Sequence, residues 1–158
     1  MPLFKAKMAA LAALLLAIVG WLVYTQVWGT GGERPVAWTD LTPKLGAIEF
    51  TRRTTGVYHS RRAFLKFLDE SVPGRPPKLP PLDWEHHQVV VIALGPRSST
   101  GYSLRVLRVV EQRRGIYVYA REQTPSLGEP VVARVTYPYR LLRMKGSTKS
   151  VYVKLEGR

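Results

Sequence analysis

Four residues, Asp83, Glu85, His86 and His87, are the nearest the chain comes to a metal-binding set. Imidazole and carboxylate are ligands that zinc accepts. Successive side chains on a strand point to opposite faces, however, so His86 and His87 cannot both turn to one ion without a kink. The simpler reading is a polar turn before the apolar run that starts at Gln88. Ser98 and Ser99 offer hydroxyls, but no histidine and carboxylate are spaced to activate them. Residues 95–102 (GPRSSTGY) combine glycines with hydroxyls as a phosphate loop does. A phosphate loop also needs Lys after its second conserved Gly and a helix behind it, whereas here Tyr102 opens a strand pattern. No G-x-S-x-G elbow, H-E-x-x-H pair or dinucleotide fingerprint occurs. The absence of cysteine excludes a thiol nucleophile, a thiolate metal site, a disulfide scaffold and a lipid-modified cysteine. The expectation is a protein that is not an enzyme and takes no cofactor and no metal.

Most of the chain that must carry these residues reads as strand. Candidates are residues 47–51, 88–94, 102–110, 115–121, 131–137, 139–144 and 150–155. Residues 89–94 (VVVIAL) are continuously apolar, as in a central strand covered on both faces. Val151, Val153 and Leu155 alternate with polar or half-polar neighbours, as in a strand with one wet face. Tyr102, Leu104 and Val106 share one parity while Leu107 and Val109 share the other, which predicts a β-bulge near Val106. Residues 111–115 (EQRRG) read as a hairpin connection with Gly115 at a positive φ. One helix is expected over 61–71, capped by Ser60 and stopped by Pro73 and Gly74, with Phe64, Phe67 and Leu68 as its buried stripe. Arg61 and Arg62 at its N-terminus and Asp69 and Glu70 at its C-terminus oppose the helix dipole, so burial of the stripe must hold it. Residues 73–82 (PGRPPKLPPL) form a stiff connector that delivers Leu82 and Trp84 to the core, and their two P-x-x-P spacings also suit an aromatic-groove domain. His59 is a surface residue before the cap. The predicted fold is mostly β, of the α+β kind: an antiparallel β-sandwich or partly open barrel with one packed helix, preceded by a single transmembrane helix.

That last element is residues 8–28, an uncharged run of 21 residues. At about 1.5 Å per residue it reaches about 31 Å, the thickness of a hydrocarbon core. Trp21, Tyr24 and Trp28 suit a membrane interface and make a poor cleavage site, which favours an anchor over a removed signal. The charges flanking the span nearly balance, Lys5 and Lys7 against Arg34 and Lys44. A start-proximal apolar segment preceded by lysines nevertheless resembles an export signal. The predicted organisation is a cytoplasmic tail over 1–7, the anchor over 8–28, a linker over 29–36 and an extracytoplasmic β-rich domain over 37–158, in a single-pass protein of the cell membrane.

From Ala37 onward, 21 Lys and Arg face 10 Asp and Glu. Such a field attracts anionic partners, whether lipid headgroups, wall polymers or an acidic protein, and it also keeps a domain soluble. Nucleic acid is the least expected of these partners.

Several segments, in order, resemble the PrcB C-terminal family, typified by the C-terminal domain of the protease complex subunit PrcB. They are Pro81-Leu82-Asp83-Trp84, the apolar run 89–94, Gly95 with Thr100-Gly101-Tyr102-Ser103, Thr124-Pro125 and Thr136-Tyr137-Pro138-Tyr139. The likeness spans roughly residues 60–144. It departs from the family's T-G-G-Y-S pattern by one glycine. What the resemblance implies is an exported, often membrane-attached domain that associates with other proteins, in the founding case a secreted protease complex; it does not imply catalysis. A looser likeness to chagasin-type protease inhibitors lies in Thr100-Gly101-Tyr102 beside Tyr137-Pro138-Tyr139.

The expected function is a membrane-tethered protein-interaction module, accessory to an exported protease or envelope complex. The alternatives are a basic binder of anionic envelope polymers or nucleic acid, with Arg105, Arg108, Arg113, Arg114, Arg121 and Arg134 among interleaved tyrosines, and a chagasin-like inhibitor. The expected contact site is Arg97, Ser98, Ser99, Thr100, Gly101 and Tyr102 adjoining Tyr137, Pro138 and Tyr139. Against it stands the reading of Tyr102 and Tyr137 as core residues.

Overall fold

The computed structural model describes residues 32–72, 74 and 77–156, together with 17, 18 and 20. The apolar span expected over 8–28 otherwise lies outside the described residues, among which no helix is long and apolar enough to cross a membrane. The chain divides into two units, Met1–Arg34 and Pro35–Arg158.

β1 (Arg34–Pro35) falls at the boundary, and the second unit continues with β2 (Trp38–Asp40), α1 (Thr42–Leu45), β3 (Thr54–Tyr58), α2 (Arg61–Ser71), β4 (His87–Ala93), β5 (Ser103–Gln112), β6 (Gly115–Gln123), β7 (Tyr139–Lys145) and β8 (Val151–Glu156). Among the described residues the strands form two four-stranded sheets, β2-β7-β4-β3 and β1-β5-β6-β8, and no barrel closes. The fold is mostly β.

β4 explains the layering. Val89, Val91 and Ala93 face a core shared with Phe64 and Leu68 of α2, Phe50, Tyr139 and Leu141. Val90, Ile92 and Leu94 face a second core shared with Leu104, Val109, Ile116, Val118 and Ala120 of the other sheet. A strand covered on both sides must be apolar at every position, which is why its sequence shows no alternation.

Ser60 Oγ accepts from the Ala63 amide at 3.3 Å and starts α2. Phe64 and Leu68 are buried. At about 1.5–3 kcal/mol for a fully buried side chain of this size, their burial outweighs the misplaced terminal charges. Phe67 stacks on Tyr58 at 4.8 Å, and Trp84 lies 5.9 Å from Phe64. Leu79, Leu82 and Trp84 pack against this same core, so the proline-rich connector does bring apolar side chains to it.

The bulge is present, with the β5–β6 register shifting between Val106 and Arg108. Four expectations need correction. Residues 47–51 carry buried Ile48 and Phe50 but join no ladder; the edge strand is β3, paired with β4 from Thr54↔Ala93 to Tyr58↔Val89. Residues 131–137 are not a strand: Val131, Val132 and Val135 are exposed, and the segment makes one bridge, Arg97↔Thr136. β8 pairs parallel to β6, from Ile116↔Val151 to Arg121↔Glu156, so the sandwich is not wholly antiparallel. Gly115 has no positive φ. Glycine is needed there because a Cβ would come within 2.5 Å of the Ser150 carbonyl oxygen and 2.8 Å of the Tyr152 ring.

Candidate functional site

The connection from β4 to β5 begins with Gly95 at φ 75°, a left-handed conformation in which a Cβ would also stand 3.0 Å from the Arg53 amide. It then runs beside the segment that leads into β7. The Leu94 amide donates to the Pro138 carbonyl at 3.0 Å, Arg97 N–H to Thr136 O at 2.8 Å and Thr136 N–H to Arg97 O at 2.9 Å. The Thr136 hydroxyl donates to Ser99 O at 2.8 Å, the Thr100 amide to Val132 O at 3.1 Å and the Val132 amide to Thr100 Oγ1 at 3.1 Å. Two irregular connections are thus laced together almost as tightly as strands, with their ends fixed by β4, β5 and β7.

Each residue expected at the site has a distinct place. Arg97 is largely sequestered: its Nε donates to Glu122 Oε1 at 2.6 Å and its Nη2 to Oε2 at 3.1 Å, while Nη1 reaches the carbonyls of Leu94 and Pro96. The Glu122 carboxylate raises its already high pKa further. Ser98 and Thr100 are exposed and Ser99 is buried. Gly101 sits under Pro125 and Val131, where a Cβ would approach side-chain atoms of each to 2.6 Å. Tyr102 is half-buried and, with Arg97, Glu122 and Thr124, lines a half-open hollow of about 450 Å³. Tyr137 and Pro138 are half-buried; Tyr137 borders a second hollow of about 400 Å³ with Ile48, Glu49 and Arg134.

Tyr139 does not belong to the surface. It is 6 % exposed, its ring meets Phe50 edge-on at 5.3 Å and its hydroxyl donates to Gly46 O at 2.6 Å. Burial pushes its pKa up to about 12. Pro138 turns the chain from the laced segment into β7, so of the two tyrosines beside it only Tyr137 lies at the surface. The core tyrosine of this motif is therefore Tyr139, not Tyr102 or Tyr137.

Residues not anticipated make up much of this surface. Leu127 is fully exposed, Val132 is 64 % exposed and Val135 56 %, and together with Val131 they give the 124–137 connection an apolar crest. The valine pattern suggested a strand. The signal against one was the turn chemistry of Pro125, Gly128 and Pro130 immediately before it.

Asp83 forms the turn ahead of β4. Its carboxylate accepts from the amides of Glu85 and His86 and from His86 Nδ1 at 2.8 Å, and His87 Nδ1 lies 3.1 Å from the Asp83 carbonyl. The His86 side chain is the main reason the Asp83 carboxyl sits below its usual range. Among the described residues no three His, Cys, Asp or Glu side chains are grouped to hold a metal ion.

Residues 88–145 match the family model described as PrcB C-terminal. No curated protein and no solved structure matches the chain. The matched stretch opens in β4 and closes at the end of β7, enclosing both laced connections and leaving out α2 and β8. Across residues 88–145, then, the chain is similar to the PrcB C-terminal family, the one that its sequence motifs resemble.

Proposed function

We propose that the protein is a membrane-tethered, extracytoplasmic protein-interaction module, an accessory to an exported protease or envelope complex. Residues 8–28 serve as its anchor, and the partner binds across the laced connections. The observation that carries this reading is the crest of Leu127, Val131, Val132 and Val135, apolar side chains held out to solvent on a segment pinned at Thr100, Arg97 and Ser99. Exposed aliphatic side chains on a pinned segment mark contact surfaces, because the ordering cost of binding has largely been met in advance. Ser98, Thr100 and Tyr102 supply the polar and aromatic rim such a surface needs.

The test is site-specific photocrosslinking in intact membranes. A photoreactive residue at Val132 should capture one protein partner that the same residue at Lys66 on α2 does not, and Val132→Asp should abolish the capture without moving the melting temperature. Equal capture from both positions would sink the assignment.

A further inference from the structure

The sheet β1-β5-β6-β8 has a second face that belongs to neither core. While Leu104, Val109, Ile116, Val118 and Ala120 point inward, register sets three rows on the outside: Val110–Tyr117–Tyr152, Arg108–Tyr119–Lys154 and Arg105–Arg121–Glu156. The Tyr117 and Tyr152 rings stack at 5.2 Å, and the Arg108 guanidinium lies 4.0 Å over the Tyr119 ring. Tyr152 is 44 % exposed, and Arg105, Arg108, Arg121 and Lys154 are exposed as well. The single carboxylate in the rows, Glu156, is 3.5 Å from Arg121. At one end the β5–β6 turn adds exposed Arg113 and Arg114.

We infer that this face docks on an anionic lipid surface, its cations against headgroup phosphates and its tyrosines at headgroup level. Charge complementarity is the first reason. The face gathers cations around amphipathic rings, and such rings prefer the membrane–water interface. The second reason is reach, and it rests on the reading of 8–28 as an anchor. Five residues lie between Trp28 and Arg34 in β1, the strand beside β5, so the tether from the apolar run to this sheet can extend to no more than about 22 Å. A polyanionic strand with planar bases is disfavoured, because Tyr117 and Tyr152 already stack on each other and leave no slot between them.

The natural absence of cysteine makes the test direct. The full chain carrying Gln123→Cys, on the outer face of β6, or Lys66→Cys, on α2, is labelled with an environment-sensitive dye and reconstituted into vesicles of phosphatidylcholine alone or with phosphatidylglycerol. Quenching by headgroup-labelled lipid should rise severalfold at position 123 in the anionic vesicles only, should fall in high salt, and should stay low at position 66. Combined Arg105→Gln, Arg121→Gln and Lys154→Gln should lower the docked fraction at roughly fivefold per charge removed, about a hundredfold in all, with the thermal melt unchanged. Equal quenching at both positions, no response to anionic lipid, or a response to soluble polyglutamate or polyuridylate but not to vesicles would overturn the assignment. Loss of the chain from neutral vesicles on alkaline washing would instead discard the anchor reading. The face would then be judged by the same dye on chain added to preformed vesicles.

Discussion

Arg97 and Glu122, 25 residues apart, meet as a two-pronged ion pair with both side chains more than three-quarters removed from solvent. The pair ties the β4–β5 connection to the end of β6, and the remaining guanidinium nitrogen holds the carbonyls of Leu94 and Pro96. Removing one partner leaves a sequestered charge that water only partly recovers. Arg97→Ala and Glu122→Ala should each cost about 2 kcal/mol in urea unfolding, and a double-mutant cycle should return a coupling of at least about 1 kcal/mol. Additive effects would show that the pair contributes nothing beyond its separate side chains. Arg97 is for this reason a poor probe of partner binding.

Tyr139 separates shape from hydrogen bonding. Tyr139→Phe keeps the ring against Phe50 and loses only the bond to Gly46 O, a cost of about 1 kcal/mol, while Tyr139→Ala opens a cavity and should cost about 3–5 kcal/mol. Similar losses for the two variants, measured by thermal melting, would contradict its placement in the core.

Tyr58 and Tyr139 both have pKa values pushed up to about 12, chiefly by burial. In each case the folded state holds its proton more tightly than the unfolded chain. Their contribution is therefore complete below about pH 10 and is lost as pH rises toward 12. Absorbance titration of the eight tyrosines should show a late-ionising fraction whose ionisation coincides with unfolding. Uniform titration near pH 10 with the fold intact would refute this.

Gly101 offers a way to disturb the crest without touching its side chains. Gly101→Ala places a methyl into Pro125 and Val131 and should displace the 124–131 segment. Because that segment is outside both cores, the melting temperature should change by no more than a few degrees, while partner capture falls by about tenfold, or about 1.4 kcal/mol. Undiminished capture would detach the crest from the function proposed for it.

Gln88 is wholly buried. Its Nε2 donates to Lys145 O at 3.2 Å, but Oε1 has no donor among the described residues. Gln88→Met should leave stability unchanged or raise it by about 1 kcal/mol, since an uncompensated acceptor is traded for apolar volume. A loss above 2 kcal/mol would point to a donor at Oε1.

Where burial alone dictates residue type, the chain can be read directly. β4 is apolar throughout because it is covered twice, β8 alternates because one side is wet, and the parity switch at Val106 is the bulge itself. β3 escapes that logic. Gly56 interrupts its pattern, and what restores the strand is the Tyr58 ring folding back over the glycine, whose Cβ would lie 2.6 Å from the Tyr58 hydroxyl. The direction of β8 is equally silent, since alternation is the same for parallel and antiparallel partners. At the site, the ordering of T-G-Y and T-Y-P-Y marked segments that prove to be hydrogen-bonded neighbours. Which tyrosine lies inside depends on where Pro138 turns the chain, and spacing carries no record of that.

The parallel register of β8 on β6 also has a temporal consequence. β6 is complete at Gln123, yet its outer edge has no partner until residues 151–156 arrive, and β2 likewise waits for β7 across a gap of about a hundred residues. Pairings this distant in sequence demand loop closure before they return any stabilisation, which slows folding toward the millisecond-to-second range. Throughout that interval the chain presents the unpaired amides and carbonyls of β6, with Ile116, Val118 and Ala120 behind them. A nascent or newly translocated molecule is thus most vulnerable to pairing with its neighbours just before its final strand closes the sheet.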